Sequence, residues 1–296
     1  MTSFLQAARE RVLVADGAMG SLILQMGMDT REPPEIWCQT RSEEVRGIHR
    51  SYFEAGSDFV YTNSFGGNRF RLKNFGLEKD VHRLNRLSAE LARKEAGPGK
   101  WVFGSVGPTG QSQEAPLDPE EVINIFAEQV QGLADGGVDG VAVETMLAVE
   151  EAEGAIRAAK AIRLDLPVIA TLTFVPGPQG PRTRCGATPS QAGLKTLQAG
   201  ADLIGANCTN GVEEAIVVLT ELRKSFPEAL LVCKPNAGLP KMRAGELKWD
   251  ETPERITAGM RRLVPNGVNV FGGCCGTAPL HIRAMAELAR EVNQGR

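Results

Sequence analysis

Val270-Phe271-Gly272-Gly273-Cys274-Cys275-Gly276-Thr277 fixes how the rest of the chain is read. The run Val268-Asn269-Val270-Phe271 has the character of a buried strand, and it stops in two glycines and two adjacent cysteines. Gly205-Ala206-Asn207-Cys208-Thr209-Asn210 repeats the design upstream. In both, cysteine sits where a strand ends and its loop begins. Adjacent cysteines do not readily close an unstrained disulfide, because their α-carbons lie too close together. They can share one metal if a third thiolate arrives, and Cys208 is the candidate. Three protein ligands with a fourth position open is the pattern of a working zinc site, whereas a structural site is closed by four. A single cysteine at a strand end is usually only packing. An adjacent pair in a glycine-rich turn, matched by a third cysteine, asks for more, since the glycines let backbone crowd a ligand.

Outward from that stretch, eight apolar runs alternate with helical patterns. The runs are Arg11–Gly17, Asp58–Asn63, Trp101–Ser105, Gly140–Thr145, Pro167–Thr173, Asp202–Cys208, Leu230–Asn236 and Gly267–Phe271. Helical segments include Ser42 to Ala55, with Ser42 as the expected N-cap, about Lys79 to Glu95, a segment opened by Asp118-Pro119, and about Pro279 to Val292. The strands are apolar almost throughout, as strands buried on both faces of a parallel sheet are. Eight such units over residues 1–296 predict one (β/α)₈ TIM barrel domain. A doubly wound open sheet is the alternative, but no strand is followed by Gly-x-Gly-x-x-Gly. Of two longer loops, Lys73–Asp80 and Pro176–Thr188, the second is expected to cover the mouth.

Hydrophobic residues make up 42% of the 296 and the net charge is −3, so there is a core to build and no electrostatic case for nucleic acid or an anionic membrane. No stretch approaches the roughly 20 apolar residues of a membrane span, and the first ten residues lack the apolar centre of a signal peptide. The expectation is a cytoplasmic protein whose six cysteines serve metal or catalysis rather than disulfides.

In a barrel, the C-terminal ends of the strands ring one mouth, where such enzymes keep their active sites. The polar residues at those ends are Asp16, Thr62-Asn63, Ser105, Glu144, Thr173, Asn207-Cys208, Asn236 and Cys274-Cys275. Three thiolates leave Zn²⁺ with about one net negative charge, a poor setting for making hydroxide. They suit a substrate thiol, which loses its proton at the open position and stays nucleophilic. Asp16 and Glu144 can hold an ammonium group, and the amides of Gly17, Ala18 and Met19 a carboxylate. A zwitterionic amino acid carrying a thiol fits all three features. His49, His82 and His281 fall on helices and read as surface or packing residues.

These residues also carry a resemblance. Asp16-Gly17-Ala18-Met19-Gly20, Thr62-Asn63-Ser64-Phe65-Gly66-Gly67-Asn68, Gly104-Ser105-Val106-Gly107-Pro108, Glu144-Thr145, Asn207-Cys208 and Gly272–Thr277 resemble the homocysteine S-methyltransferase family over nearly the whole chain. Within it, Ile48–Gly56, Phe65–Arg69 and Lys234-Pro235-Asn236-Ala237-Gly238-Leu239-Pro240 are most similar to the homocysteine-binding module of cobalamin-dependent methionine synthases. The resemblance implies zinc on Cys208, Cys274 and Cys275, with Glu144 also in the catalytic machinery. It implies homocysteine bound by Asp16, Gly17, Ala18, Met19, Asn63, Ser105, Glu144 and Asn207, and methionine as product. Asn236 matches a position able to fill the fourth metal site before substrate arrives. Cobalamin-dependent synthases continue into further modules, whereas this sequence ends at Arg296. The expectation is therefore either a fragment or a free-standing enzyme that takes its methyl group from methylcobalamin on a separate corrinoid protein. A longer C-terminal extension marks betaine-using relatives, and its lack here points away from betaine. The rivals are a small sulfonium donor (S-methylmethionine or S-adenosylmethionine), a vicinal-dithiol redox protein built on Cys274-Cys275, and an inactive zinc-binding barrel.

Overall fold

In the computed structural model, which describes residues 3–111, 118–243 and 246–295, the eight expected strands form one parallel sheet. They are β1 (Leu13–Val14), β2 (Phe59–Tyr61), β3 (Trp101–Val106), β4 (Gly140–Met146), β5 (Val168–Leu172), β6 (Leu203–Asn207), β7 (Leu230–Lys234) and β8 (Val270–Phe271). From β2 to β8 each pairs with its neighbour in sequence, and β8 pairs with β1, with Leu13 opposite Val270. The last seam, β1 to β2, is closed by the Asp58 amide donating to the Val14 carbonyl at 2.7 Å, while the Asp58 carboxylate accepts from the Val14 amide at 2.8 Å. With helices outside, this is a (β/α)₈ TIM barrel. Among the described residues no helix is long and apolar enough to cross a membrane.

The seam belongs to a fourfold pattern. Gly56-Ser57-Asp58, Gly137-Val138-Asp139, Gly200-Ala201-Asp202 and Gly267-Val268-Asn269 each end a helical or turn segment in a positive-φ glycine. Two residues later, each places a carboxylate or amide at the foot of an even-numbered strand. Asp139, Asp202 and Asn269 accept from the amides of Val102, Val168 and Leu231 at 2.8, 2.8 and 2.9 Å. Their own amides donate to the carbonyls of the same residues. Every odd strand is thus clasped to the even strand that follows it. Arg11, Arg93 and Lys160 pair with the three aspartates; Asn269, the uncharged member, donates instead to the Ala8 carbonyl at 2.9 Å.

Side chains alternate in and out along a strand, so the barrel interior fills in layers. The lower layer is apolar and includes Leu13, Phe59, Phe103, Ala142, Ile169, Leu203, Val232 and Val270. A helix that the sequence reading did not anticipate, Phe4–Glu10, stoppers this end. Phe4 packs at ring-centroid distances of 5.2, 5.5 and 4.5 Å from Phe59, Trp101 and Phe103. Two residues higher on the same faces stand Tyr61, Ser105, Glu144, Thr171 and Lys234, and the interior turns polar. A second core, larger than the first, lies between sheet and helices.

Two local expectations fail. Ser42 is the first helical residue rather than the cap; Arg41 holds that place, with no side-chain bond. The Pro176–Thr188 loop folds on itself, Val175 bridging Arg182, and does not reach the mouth cavity, whose cover comes from Pro33–Glu35 and from Phe65, Arg71 and Phe75. Asp118 does cap its helix, accepting from the Glu120 amide. Residues 1 and 2 of the expected leaderless start lie outside the described residues.

Candidate metal and substrate site

A cavity of about 430 Å³ opens at the C-terminal ends of the strands, a size suited to a small molecule. Cys208, Cys274 and Cys275 lie on its wall, their sulfurs all within 4.8 Å of one another, with Cys208 and Cys275 at 3.9 Å. Thiolates around one tetrahedral zinc, each about 2.3 Å from it, sit about 3.8 Å apart. The donor set and its spacing therefore fit the ion. For Cys208 and Cys275 a hydrogen bond with one neighbouring thiol lowers the pKa and a hydrogen bond with the other raises it, and burial with the neighbouring charge lifts both to about 12; three thiolates this close repel unless a cation stands between them. Cys38 and Cys233 are buried elsewhere, where burial raises their thiols to about 12 and leaves them inert. Cys185 is exposed, in the loop away from the cavity.

The sulfurs are held by backbone in uncommon shapes. Cys208 has φ 56°, a left-handed conformation a non-glycine residue seldom adopts. The Cys274 amide donates to the Pro235 carbonyl at 2.8 Å, and the Cys275 amide donates to Asn236 Oδ1 at 2.9 Å. Gly276, at φ +78°, lies so close beneath Trp249 that an added Cβ would come within 2.1 Å of the indole, so only glycine lets this loop close over the ligand pair. Asn236 thus meets the loop through the Cys275 amide and also bonds to the Cys208 thiol.

Beside the sulfurs stands Glu144, raised into place by one extra residue in β4. The register with β5 slips between Val143 and Met146, a β-bulge that re-aims a side chain. Thr145 carries the strain at φ 59°. Asn207 fixes the bulge, its Oδ1 accepting from the Thr145 amide at 2.8 Å and its Nδ2 donating to Thr145 Oγ1 at 2.7 Å. The same Nδ2 approaches Glu144 Oε2 at 3.2 Å and the Cys274 sulfur at 3.9 Å. Ser105 Oγ donates to Glu144 Oε1 at 2.5 Å. Burial raises the Glu144 carboxyl, against the pull of Lys234 and Ser105.

Asp16 faces the cavity but is already partnered. Lys234, only 1% exposed, donates from Nζ to Asp16 Oδ1 at 2.8 Å and to the Asp16 carbonyl at 3.3 Å. It lies 3.7 Å from the centre of the Tyr61 ring. Asp16 Oδ2 accepts from the Tyr61 amide at 2.7 Å. Burial raises the Asp16 carboxyl, and Lys234 opposes the rise. Of the three expected amides, that of Ala18 is bonded to Thr277, while those of Gly17 and Met19 have no partner among the described residues. Asn63 spends its amide on the Pro34 carbonyl at 2.7 Å, stapling the cover in place. Thr173 and Asn236 do not line the cavity. Sequence reasoning passed over Lys234 and Tyr61; the one available signal was a lysine closing the apolar run Leu230-Leu231-Val232-Cys233.

A family model described as homocysteine S-methyltransferase matches residues 13–289. The chain belongs to the homocysteine S-methyltransferase family. It is 31% identical over 313 aligned residues to a methionine synthase of Mycobacterium leprae, covering 99% of this chain and 26% of that protein. It is 30% identical to the methionine synthase of Mycobacterium tuberculosis, with the same coverage. The chain thus spans about a quarter of the length of these relatives. Among solved structures, the metallated homocysteine methyltransferase MmuM of Escherichia coli has the same fold, with TM-score 0.76 and 22% identity over 94% of this chain and 96% of that one. Of the residues expected at the mouth, Asp16, Gly17, Ala18, Met19, Asn63, Ser105, Glu144 and the three cysteines line one cavity, and Asn207 and Asn236 do not.

Proposed function

We propose that this barrel, a single domain over residues 1–296, binds homocysteine and presents its sulfur for methylation to methionine. The observation that carries the reading is the convergence of three sulfurs within 4.8 Å on a cavity shared with Glu144. Zinc held by Cys208, Cys274 and Cys275 would supply a site where the substrate thiol sheds its proton yet remains a nucleophile. Glu144 takes the substrate ammonium. The pairing favours it over Asp16, because Asp16 already holds the Lys234 ammonium at 2.8 Å, whereas Glu144 has no ion-pair partner within 4 Å among the described residues. The Gly17 and Met19 amides receive the substrate carboxylate. Asn207 keeps Glu144 and Cys274 in register, so that ammonium and sulfur are fixed at once. The sulfur then attacks a methyl group in line, and the electron pair of the breaking bond departs with the donor.

The donor in this reading is methylcobalamin on a corrinoid protein or module, supported by the identity to methionine synthases. Cys208→Ala should lose stoichiometric zinc and homocysteine binding together; retention of both would end the proposal. A second reading is favoured by the cavity itself, which runs past the sulfurs to Phe65, Phe75 and the buried Glu35, aromatic and acidic surfaces suited to a small cation. Incubating homocysteine with methylcobalamin, S-methylmethionine or S-adenosylmethionine in turn separates the two. Turnover with a sulfonium compound alone rejects the corrinoid.

A further inference from the structure

Tyr61 closes β2 on the inner wall, 5% exposed and part of the cavity lining. Its ring has a function already in view, offering a face to the Lys234 ammonium at 3.7 Å. A phenylalanine would do that as well, and the neighbouring inward positions Phe59 and Phe103 are phenylalanines. The hydroxyl is what needs a reason. It is buried without a hydrogen-bond partner among the described residues, and burying such a group unpaired costs about 1–3 kcal/mol. Tyr61 lines the same cavity as Glu144, Asp16 and Cys274, the groups between which the amino acid would lie.

We propose that the Tyr61 hydroxyl is a specificity residue that completes the binding site for the substrate's ammonium group, its oxygen accepting one ammonium N–H. The inference rests on the reading of the cavity as a homocysteine site and adds a residue to it. Glu144 alone is a poor tripod: Ser105 occupies one oxygen and Asn207 approaches the other. An ammonium carries three donors, and a phenol oxygen beside the carboxylate supplies an acceptor that Lys234, itself a donor, cannot. The device selects amino acids over simple thiols.

The test uses the zinc-loaded protein, Tyr61→Phe, and two ligands measured by calorimetry: L-homocysteine and 4-sulfanylbutanoate, the same skeleton without the amino group. The variant should bind homocysteine about tenfold more weakly, as loss of a charge-assisted hydrogen bond implies, and 4-sulfanylbutanoate as well as the wild type does. Because the lost hydroxyl has no partner among the described residues, the thermal midpoint should hold or rise. Equal weakening of both ligands would show a merely structural role and overturn the inference. Unchanged homocysteine affinity would overturn it too. Failure of the wild type to bind homocysteine at all would instead sink the functional reading, and this inference with it.

Discussion

The two ends of the barrel are built from the same eight strands and obey different rules. At the foot, Phe4 packs edge to face against Phe59 and Trp101 and tilted against Phe103, and four side chains clasp the strands in pairs. At the mouth, two non-glycine residues sit at positive φ, a carboxylate rides on a bulge, and a lysine is buried against an aspartate. Hydroxyls at Tyr61 and Thr171 lack partners among the described residues. The difference teaches where each kind of free energy is placed. The foot is satisfied and apolar and holds the fold, whereas the mouth tolerates strain and unpaired groups because a ligand can meet them. Changes at the foot should therefore alter stability without altering binding, and changes at the mouth the reverse.

The largest effect expected is at the foot. Phe103→Ala opens a cavity in the packed lower layer and should cost about 3–5 kcal/mol in urea unfolding, while homocysteine affinity of the folded fraction stays that of the wild type. A binding loss as large as the stability loss would erase the distinction between the ends. Lys234→Met tests the exception, a mouth residue that also supports the fold. It strands the Asp16 charge in a buried site and should cost about 3 kcal/mol. Adding Asp16→Asn should recover much of that, a coupling readable in a double-mutant cycle.

A third expectation concerns neither end. His49 is fully buried with both ring nitrogens unpartnered among the described residues, and burial pulls its pKa down to about 4 from 6.5. Between those values the unfolded chain binds a proton that the folded chain refuses, so His49 lowers stability as pH falls. Relative to His49→Leu, the wild type should lose about 2 kcal/mol from pH 7.5 to pH 5, a size set by the shift. A pH-independent difference between the two would show His49 paired in solution. The smallest effect belongs to the mouth. Thr145→Gly relieves a β-branched residue at φ 59° and should stabilise by roughly 1 kcal/mol net of glycine's entropy. It also weakens homocysteine binding a few-fold by loosening the hold of Asn207 on the bulge.

The strands were legible because each is a continuous β-branched or apolar run, and the polar residue at each end was legible because a barrel sends those ends to one place. What escaped needed three dimensions. The seven-residue Phe4–Glu10 helix is too short to announce itself and is held by packing against β2 and β3. The clasp pattern was in plain sight as Gly-x-Asp or Gly-x-Asn four times, but its spacing of roughly 63–81 residues hid it from a reading in local windows. Proline and glycine marked Pro176–Thr188 as a loop without saying which way it folds. Tyr61 and Lys234 read as ordinary strand residues because period-two alternation gives a face, and only barrel closure says that the face looks onto Asp16.

The clasps carry a consequence for how this chain can be rearranged. Each joins an odd strand to the even strand after it, so the molecule consists of four stapled quarters, and the backbone segments between quarters, at Gly97–Lys100, Arg163–Pro167 and Phe226–Ala229, cross no staple and lie away from the mouth. New termini cut into any of these three turns, with the old ends joined by a linker, would leave every staple and every cavity residue intact. The circular order of the strands, rather than the place where the polypeptide begins, is what the fold requires.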